Sequence, residues 1–404
     1  MSIGRLIAAF VLLALIFGVT LVFATPPFRA PDEAGHFWRA DAIALGYWIP
    51  PMHHGHPSAY IPRGIEQLWY GRDTPLELEH RVLVHFPAYY TPLPHLPQAF
   101  ACFIGHALVL RPIAILHLGR IFNLVVFIAL MALAMRAAPA LALAIATVGL
   151  LPMSLHLAAS FSPDAMTIAV ATLLTAMTCT TGASACRDRR GRLSYTAAAI
   201  AFVKPVYFPI ALMARRATAW IACAISLAIT ALLLHQTNYA HRPGVMVDPA
   251  AQLRVIAHAP FRFIGIVIFD YLRHVPRYAE GLVGRLGMLD VPLPRIVIGM
   301  LLVTVIAVAL TSESRLTAKD RALAGLSIAL SMLLISVSQY LIWTPPGAGY
   351  IEGMQGRYFL PLLPLAMAAV GGTVRRCIAP DVIFAVLAIA DVAAILAIIP
   401  KPGP

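Results

Sequence analysis

Apolar runs of about twenty residues recur along this chain, separated by short polar stretches rich in arginine. They fall at about residues 7–24, 93–110, 118–135, 140–157, 165–181, 193–213, 218–234, 296–310, 322–343, 358–374 and 382–399. A continuous apolar run of that length predicts a helix that crosses a bilayer, because roughly twenty residues match the hydrocarbon core and a helix satisfies its own backbone there. The pattern predicts an all-α polytopic membrane protein with about 10–12 membrane segments in one transmembrane domain spanning 1–404. Two long polar segments interrupt it, about 25–91 and 238–294, and both are expected outside the membrane. The second holds a mixed apolar and basic stretch, 261–278, that reads as interfacial.

Basic residues orient the spans. If 93–110 crosses, Arg136 and the cluster Arg187, Arg189, Arg190 and Arg192 fall outside; if it is interfacial or re-entrant, they fall inside. The excess of arginine on cytoplasmic loops favours the second arrangement, which also puts Arg375 and Arg376 inside and 344–357 outside. Three prolines at the start of that run, with His95 and His106 within it, suit a helix that does not cross. The run 193–213 is broken at Lys204-Pro205 and flanked by arginines, and reads as a helical hairpin returning to the cytoplasm.

Composition agrees. Of 404 residues, 60% are hydrophobic and 12% charged, and the mean hydropathy is +0.81, too apolar for a soluble domain. The net charge of +12 needs no nucleic-acid partner, since most arginines sit between apolar runs. Five scattered cysteines without a CxxC predict neither a disulfide framework nor a zinc knuckle. The first run is long for the apolar part of a cleaved signal peptide, so it reads as an uncleaved anchor.

Candidate chemistry gathers in four places. Directly after the first run comes Pro31-Asp32-Glu33, with His36 and Arg39 following. Pro31 followed by acids suits the first turn of a helix, and Asp32, His36 and Arg39 would then share one face. The same residues serve equally as a capped interfacial helix anchored by Phe37 and Trp38. Ser160-Phe161-Ser162-Pro163-Asp164 lies at the outer mouth between two spans. Lys204 stands at the helix break, where a cation next to lipid calls for an anionic partner. Late in the chain comes Met354-Gln355-Gly356-Arg357-Tyr358-Phe359. His53, His54 and His56 have the residue types of a metal site, but they read as a flexible solvated loop, because no regular element fixes their geometry.

Together these pieces resemble a family of bacterial polytopic membrane proteins with a PDE–x–x–H signature after the first span, itself similar to the GT-C glycosyltransferases. The resemblance covers about residues 20–375. It implies a GT-C-like helical bundle whose long first external loop contains interfacial helices. It also implies a multi-pass enzyme of the bacterial cytoplasmic membrane that moves a sugar from a polyprenyl-phosphate donor to a glycan, lipid or protein acceptor on the outer face. Asp32, Glu33 and Asp164 would be the catalytic acids. Lys204 and Arg357 would hold the donor phosphate, and His36, Arg39, Tyr90 and Gln355 would support them. Glu33 and Asp164 could also hold a divalent cation, Mg or Mn. A large soluble C-terminal domain, which some GT-C enzymes use for acceptor recognition, is not expected after these motifs. Two other classes fit the sequence: a transporter or flippase of lipid-linked glycans, and a non-catalytic envelope assembly protein.

Overall fold

The computed structural model describes residues 1–179, 187–235, 247–314, 316–374 and 378–399, with side chains except at 187–190 and 234–235. The side chains of Arg187, Arg189 and Arg190, and the whole of Arg375 and Arg376, lie outside the described residues.

The chain opens with α1 (Ile3–Ala24), capped at Ser2. After a turn comes α2 (Glu33–Ala44). The first polar segment then forms an antiparallel sheet in the order β1 (Met52–His53), β2 (His56–Pro62) and β3 (Arg81–His85), with α3 (Arg63–Gln67) between the last two strands. The flexible-loop reading of the three histidines is therefore wrong. His53 pairs with His56, and the two turn residues, His54 at φ 49° and Gly55 at φ 81°, both take the left-handed conformation that a tight hairpin requires.

Next is α4 (Leu96–Ala107), entered through a 3-10 turn, Leu93–His95. At 12 residues, about 18 Å, it falls well short of a bilayer core of about 30 Å. Then come α5 (Pro112–Ala137), α6 (Ala142–Gly149) and α7 (Pro152–Ala158). The run 140–157, expected as one span, bends by 76° between α6 and α7, where Pro152 cannot donate to the preceding turn.

The chain continues with α8 (Asp164–Cys179) and α9 (Arg187–Val203), an extended Lys204, a 3-10 helix Pro205–Ala214, and α10 (Ala217–His235). The hairpin at Lys204 is real. Its returning limb brings Arg216 and Thr218 beside Gly191 and Ser194 near the start of α9, where Ser194 Oγ donates to Thr218 Oγ1 at 3.3 Å. Its second limb is 3-10 rather than α, with Pro205 at its start and Pro209 inside.

The second polar segment holds α11 (Pro249–His258), α12 (Pro260–Val283) and a two-stranded ladder, β4 (Arg285–Leu286) with β5 (Val291–Pro292). Phe261, Ile264, Ile268, Leu272 and Val275 make an exposed apolar stripe along α12, while Phe263, Val267 and Tyr278 are buried. The last elements are α13 (Arg295–Thr311), α14 (Ala318–Ile342), a 3-10 helix Gly356–Leu362 running into α15 (Leu363–Val370), and α16 (Pro380–Ile398).

The protein is an all-α, membrane-type helical bundle, with no closed sheet among the described residues. Among the described residues, α1, α5, α14 and α16 are each long and apolar enough to cross a membrane, and the bent pairs α6–α7 and α11–α12 bring the number to six if each counts as one span. Phe10, Ala14 and Leu21 of α1 share one buried core with Leu124, Phe127 and Met131 of α5. A second core lies under the first polar segment, where Phe37 of α2 meets Phe161 edge-on at 4.7 Å.

Candidate functional site

One face of α5 positions the two acidic segments. Arg120 is fully buried and its guanidinium is saturated. Nε and Nη2 donate to the two carboxylate oxygens of Glu33, at 2.8 and 2.7 Å. Nη1 donates to the carbonyls of Val22 and Thr25, at 2.8 and 2.7 Å, and Nη2 also reaches the carbonyl of Pro26 at 3.1 Å. These are carbonyls at the end of α1 and in the turn beyond it, which lack helical donors. Arg120 thus ties the exit of α1 to the entrance of α2. One turn along the same face, Asn123 Nδ2 donates to the carbonyls of Ser160 (2.7 Å) and Ser162 (3.2 Å). Gly119 makes room for that loop, since a Cβ there would lie 2.1 Å from the Phe161 ring.

Held in this way, Asp32 and Asp164 join a chain of alternating charge. Lys204 Nζ donates to Asp164 Oδ1 at 2.9 Å. Arg357 Nη1 lies 3.2 Å from Asp164 Oδ2, and Nη2 donates to Asp32 Oδ2 at 3.1 Å. The side chains of Asp164, Lys204 and Arg357 are 9%, 13% and 4% exposed, but that of Asp32 is 57% exposed, so Asp32 is the end of the chain open to solvent. Arg357 Nε donates to Gln355 Oε1 at 2.5 Å. Lys204 Nζ also lies over the rings of Tyr358 (4.8 Å), Tyr90 (5.3 Å) and Tyr207 (6.0 Å), and Tyr207 Oη donates to the carbonyl of Tyr358.

The local backbone explains two of these placements. Helix α2 starts at Glu33, two residues after Pro31, and Asp32 sits before it at φ 58° with no side-chain capping bond. Aspartate is among the few non-glycine residues at ease in that region. Gly356 lets the Arg357 segment lie directly on α12, because a Cβ there would come 2.1 Å from the Tyr278 carbonyl oxygen.

His36 and His95 complete the cluster. Nδ1 of His36 and Nε2 of His95 are 3.3 Å apart, both side chains are buried, and the Tyr90 ring lies 6.1 and 6.2 Å from them. Burial lowers the His36 pKa to about 4, although Asp32 and Asp164 pull it upward, so the imidazole is neutral near pH 7. Burial likewise pushes the Tyr90 hydroxyl up, against the pull of Lys204.

Asp32, Asp164, Lys204, Arg357, His36, Tyr90 and Gln355 therefore meet, although they come from widely separated segments. Glu33 and Arg39 do not join them. Glu33 is spent on Arg120 and on the Phe161 N–H. Arg39 does not face Asp32; it donates to the carbonyls of Tyr47 and Trp48, at 2.9 and 2.8 Å. Nor do the acids fit a divalent ion. Both Glu33 oxygens accept from Arg120, both Asp164 oxygens face cations, and the described residues contain no group of three or more His, Cys, Asp or Glu able to hold a metal.

The family model described as Predicted membrane protein (DUF2142) matches residues 68–366 of the 404. The chain belongs to the DUF2142 family. No curated protein and no solved structure matches it. The matched region of this DUF2142 protein includes Tyr90, Asp164, Lys204, Gln355 and Arg357, whereas Asp32 and His36 precede it. Arg120, Asn123 and Tyr207 of this DUF2142 chain belong to no motif singled out in the sequence. Arg120 was the most legible of these, since an arginine within an apolar helix implies a buried partner.

Proposed function

We propose that this protein is a multi-pass glycosyltransferase of GT-C type in the bacterial cytoplasmic membrane. It moves a sugar from a polyprenyl-phosphate donor to an envelope glycan, lipid or protein acceptor on the outer face. The observation that carries this reading is the chain Asp32–Arg357–Asp164–Lys204, which ends in an exposed carboxylate. Lys204 and Arg357 meet the donor phosphate, Arg357 through its planar fork. As the phosphate engages Arg357, Asp32 loses its partner and becomes free to accept a proton. The acceptor hydroxyl gives that proton to Asp32 and attacks the anomeric carbon. The bond from that carbon to the phosphate oxygen breaks, and its electron pair stays on the phosphate, beside the two cations. Gln355 steadies Arg357, and Tyr90, Tyr207 and Tyr358 shield Lys204 from water.

Mass spectrometry of polyprenyl-linked sugars and envelope glycans tests this in a deletion strain complemented with wild type or Asp32→Asn. Accumulated donor and a missing glycan are expected without the gene and with the variant. A full glycan profile with the variant would remove Asp32 from the reaction.

A transporter of lipid-linked glycans is the second reading. It is favoured by a cavity of about 700 Å³ at the far end of α8 from Asp164, lined by Thr178, Cys179, Arg215, Glu313 and Asp320. In that case the donor would be unchanged chemically and would accumulate on the cytoplasmic face.

A further inference from the structure

Two carboxylates and two cations in the cluster sum to no net charge: Asp32 and Asp164 against Lys204 and Arg357. A phosphodiester monoanion entering this largely buried site leaves one negative charge uncompensated, and an unbalanced charge away from water is costly. The groups facing His36 limit how the site can answer. They are Asp32 just before α2, Tyr90 and His95 from the segment before α4, Asp164 at the start of α8, Lys204 at the helix break and Arg357 before α15. The tyrosines can only add negative charge. His95 faces Arg39 as well as His36, whereas His36 is acted on by both carboxylates.

We propose that the site takes up a proton on His36 when a phosphodiester monoanion binds, with His95 as the positioning partner of that imidazole. The proposal rests on the reading of Lys204 and Arg357 as a phosphate site, but not on glycosyl transfer. In the loaded state His36 Nδ1–H donates to His95 Nε2 across the 3.3 Å contact. His95 then carries its own hydrogen on Nδ1, which leaves it free to donate towards the Thr91 backbone. The site thereby accepts a monoanion neutrally, and a diphosphate leaves residual negative charge.

Linkage fixes the sign. The loaded site holds one more proton than the empty one, so affinity rises as pH falls, approaching tenfold per pH unit between the loaded and empty pKa values of His36. The probes are an isoprenyl methyl phosphate, in detergent with the full-length protein, and dimethyl phosphate as the lipid-free source of the same anion. Calorimetry in buffers of different ionisation enthalpy, from about pH 5 to 8, counts the protons taken up. Wild type is expected to take up close to one proton per isoprenyl phosphodiester at the acidic end of that range. His36→Gln should bind with no uptake and no pH slope, and His95→Gln should shift the pH at which uptake occurs. Uptake with dimethyl phosphate too would make the phosphate itself the trigger, as proposed; uptake that needs the isoprenyl chain would overturn that account. Binding by wild type without proton uptake would overturn the proposal while leaving the phosphate site intact, and so would unchanged uptake in His36→Gln. Failure of both probes to bind at any pH would overturn the phosphate site and the proposal with it. The wild-type count alone is decisive if the variants do not fold.

Discussion

Arg357 reaches Asp32 at 3.1 Å across 325 residues of sequence. The pair ties the turn after the first span to the 3-10 helix before α15, and Arg357 also touches Asp164. Asp32 is thus held by a cation that the proposed reaction needs elsewhere, and that proposal has donor arrival release the acid.

Asp32→Asn should lower turnover by about 10²-fold or more, the scale of a lost general base. Its side chain is 57% exposed and makes no helix cap, so membrane abundance should stay near wild type. Glycan output normalised to protein level by blot checks both parts together.

Glu33→Gln should behave in the opposite way. The change leaves the fully buried Arg120 charge without its anion, a loss of about 3–5 kcal/mol for a broken buried pair. Thermal melting of the purified protein should show a clear drop and abundance should fall, with no such effect from Asp32→Asn. A Glu33→Gln protein of wild-type stability would mean that Arg120 does not depend on it.

Gly356→Ala should disturb the site through the backbone. The added methyl meets the Tyr278 carbonyl oxygen at 2.1 Å, so the Arg357 segment must move off α12. Binding of an isoprenyl phosphodiester should weaken by at least tenfold. Gly265→Ala in α12, where a Cβ meets nothing within 4 Å, is the control and should bind as wild type does.

Stability should depend on His36 in the acid range. Its folded pKa of about 4 lies below the value of 6.5 expected when unfolded, so the unfolded chain binds more protons between the two. The His36 contribution is complete above about pH 6.5 and is lost as pH falls towards 4, by up to about 3 kcal/mol in total. His36→Gln should flatten the fall in melting temperature across that window. An unchanged pH profile in the variant would show that His36 does not set it.

Much of the architecture was legible in the chain itself. Long apolar runs specify helices because lipid satisfies no backbone group, so α1, α5, α14 and α16 follow closely from hydropathy alone. The break at Lys204 was equally readable, since Pro205 cannot continue a helix. The hairpin of β1 and β2 escaped notice because a two-residue strand carries no periodic pattern; its signal is only the His54-Gly55 turn. The bend before Pro152 was hidden by a run that stays apolar on both sides.

The sequence by itself determined which charged residues interrupt the apolar runs: acids after the first run, an aspartate between two later ones, a lysine at a break and an arginine before a late run. It could not say which acid faces which cation, because ion pairing is set by distances of a few ångströms between segments far apart in the chain. Asp32 and Glu33 are adjacent, yet a left-handed Asp32 sends one carboxylate towards Arg357 while Arg120 claims the other. Only tertiary packing, with α5 as the common wall, separated a structural carboxylate from the one left open to solvent.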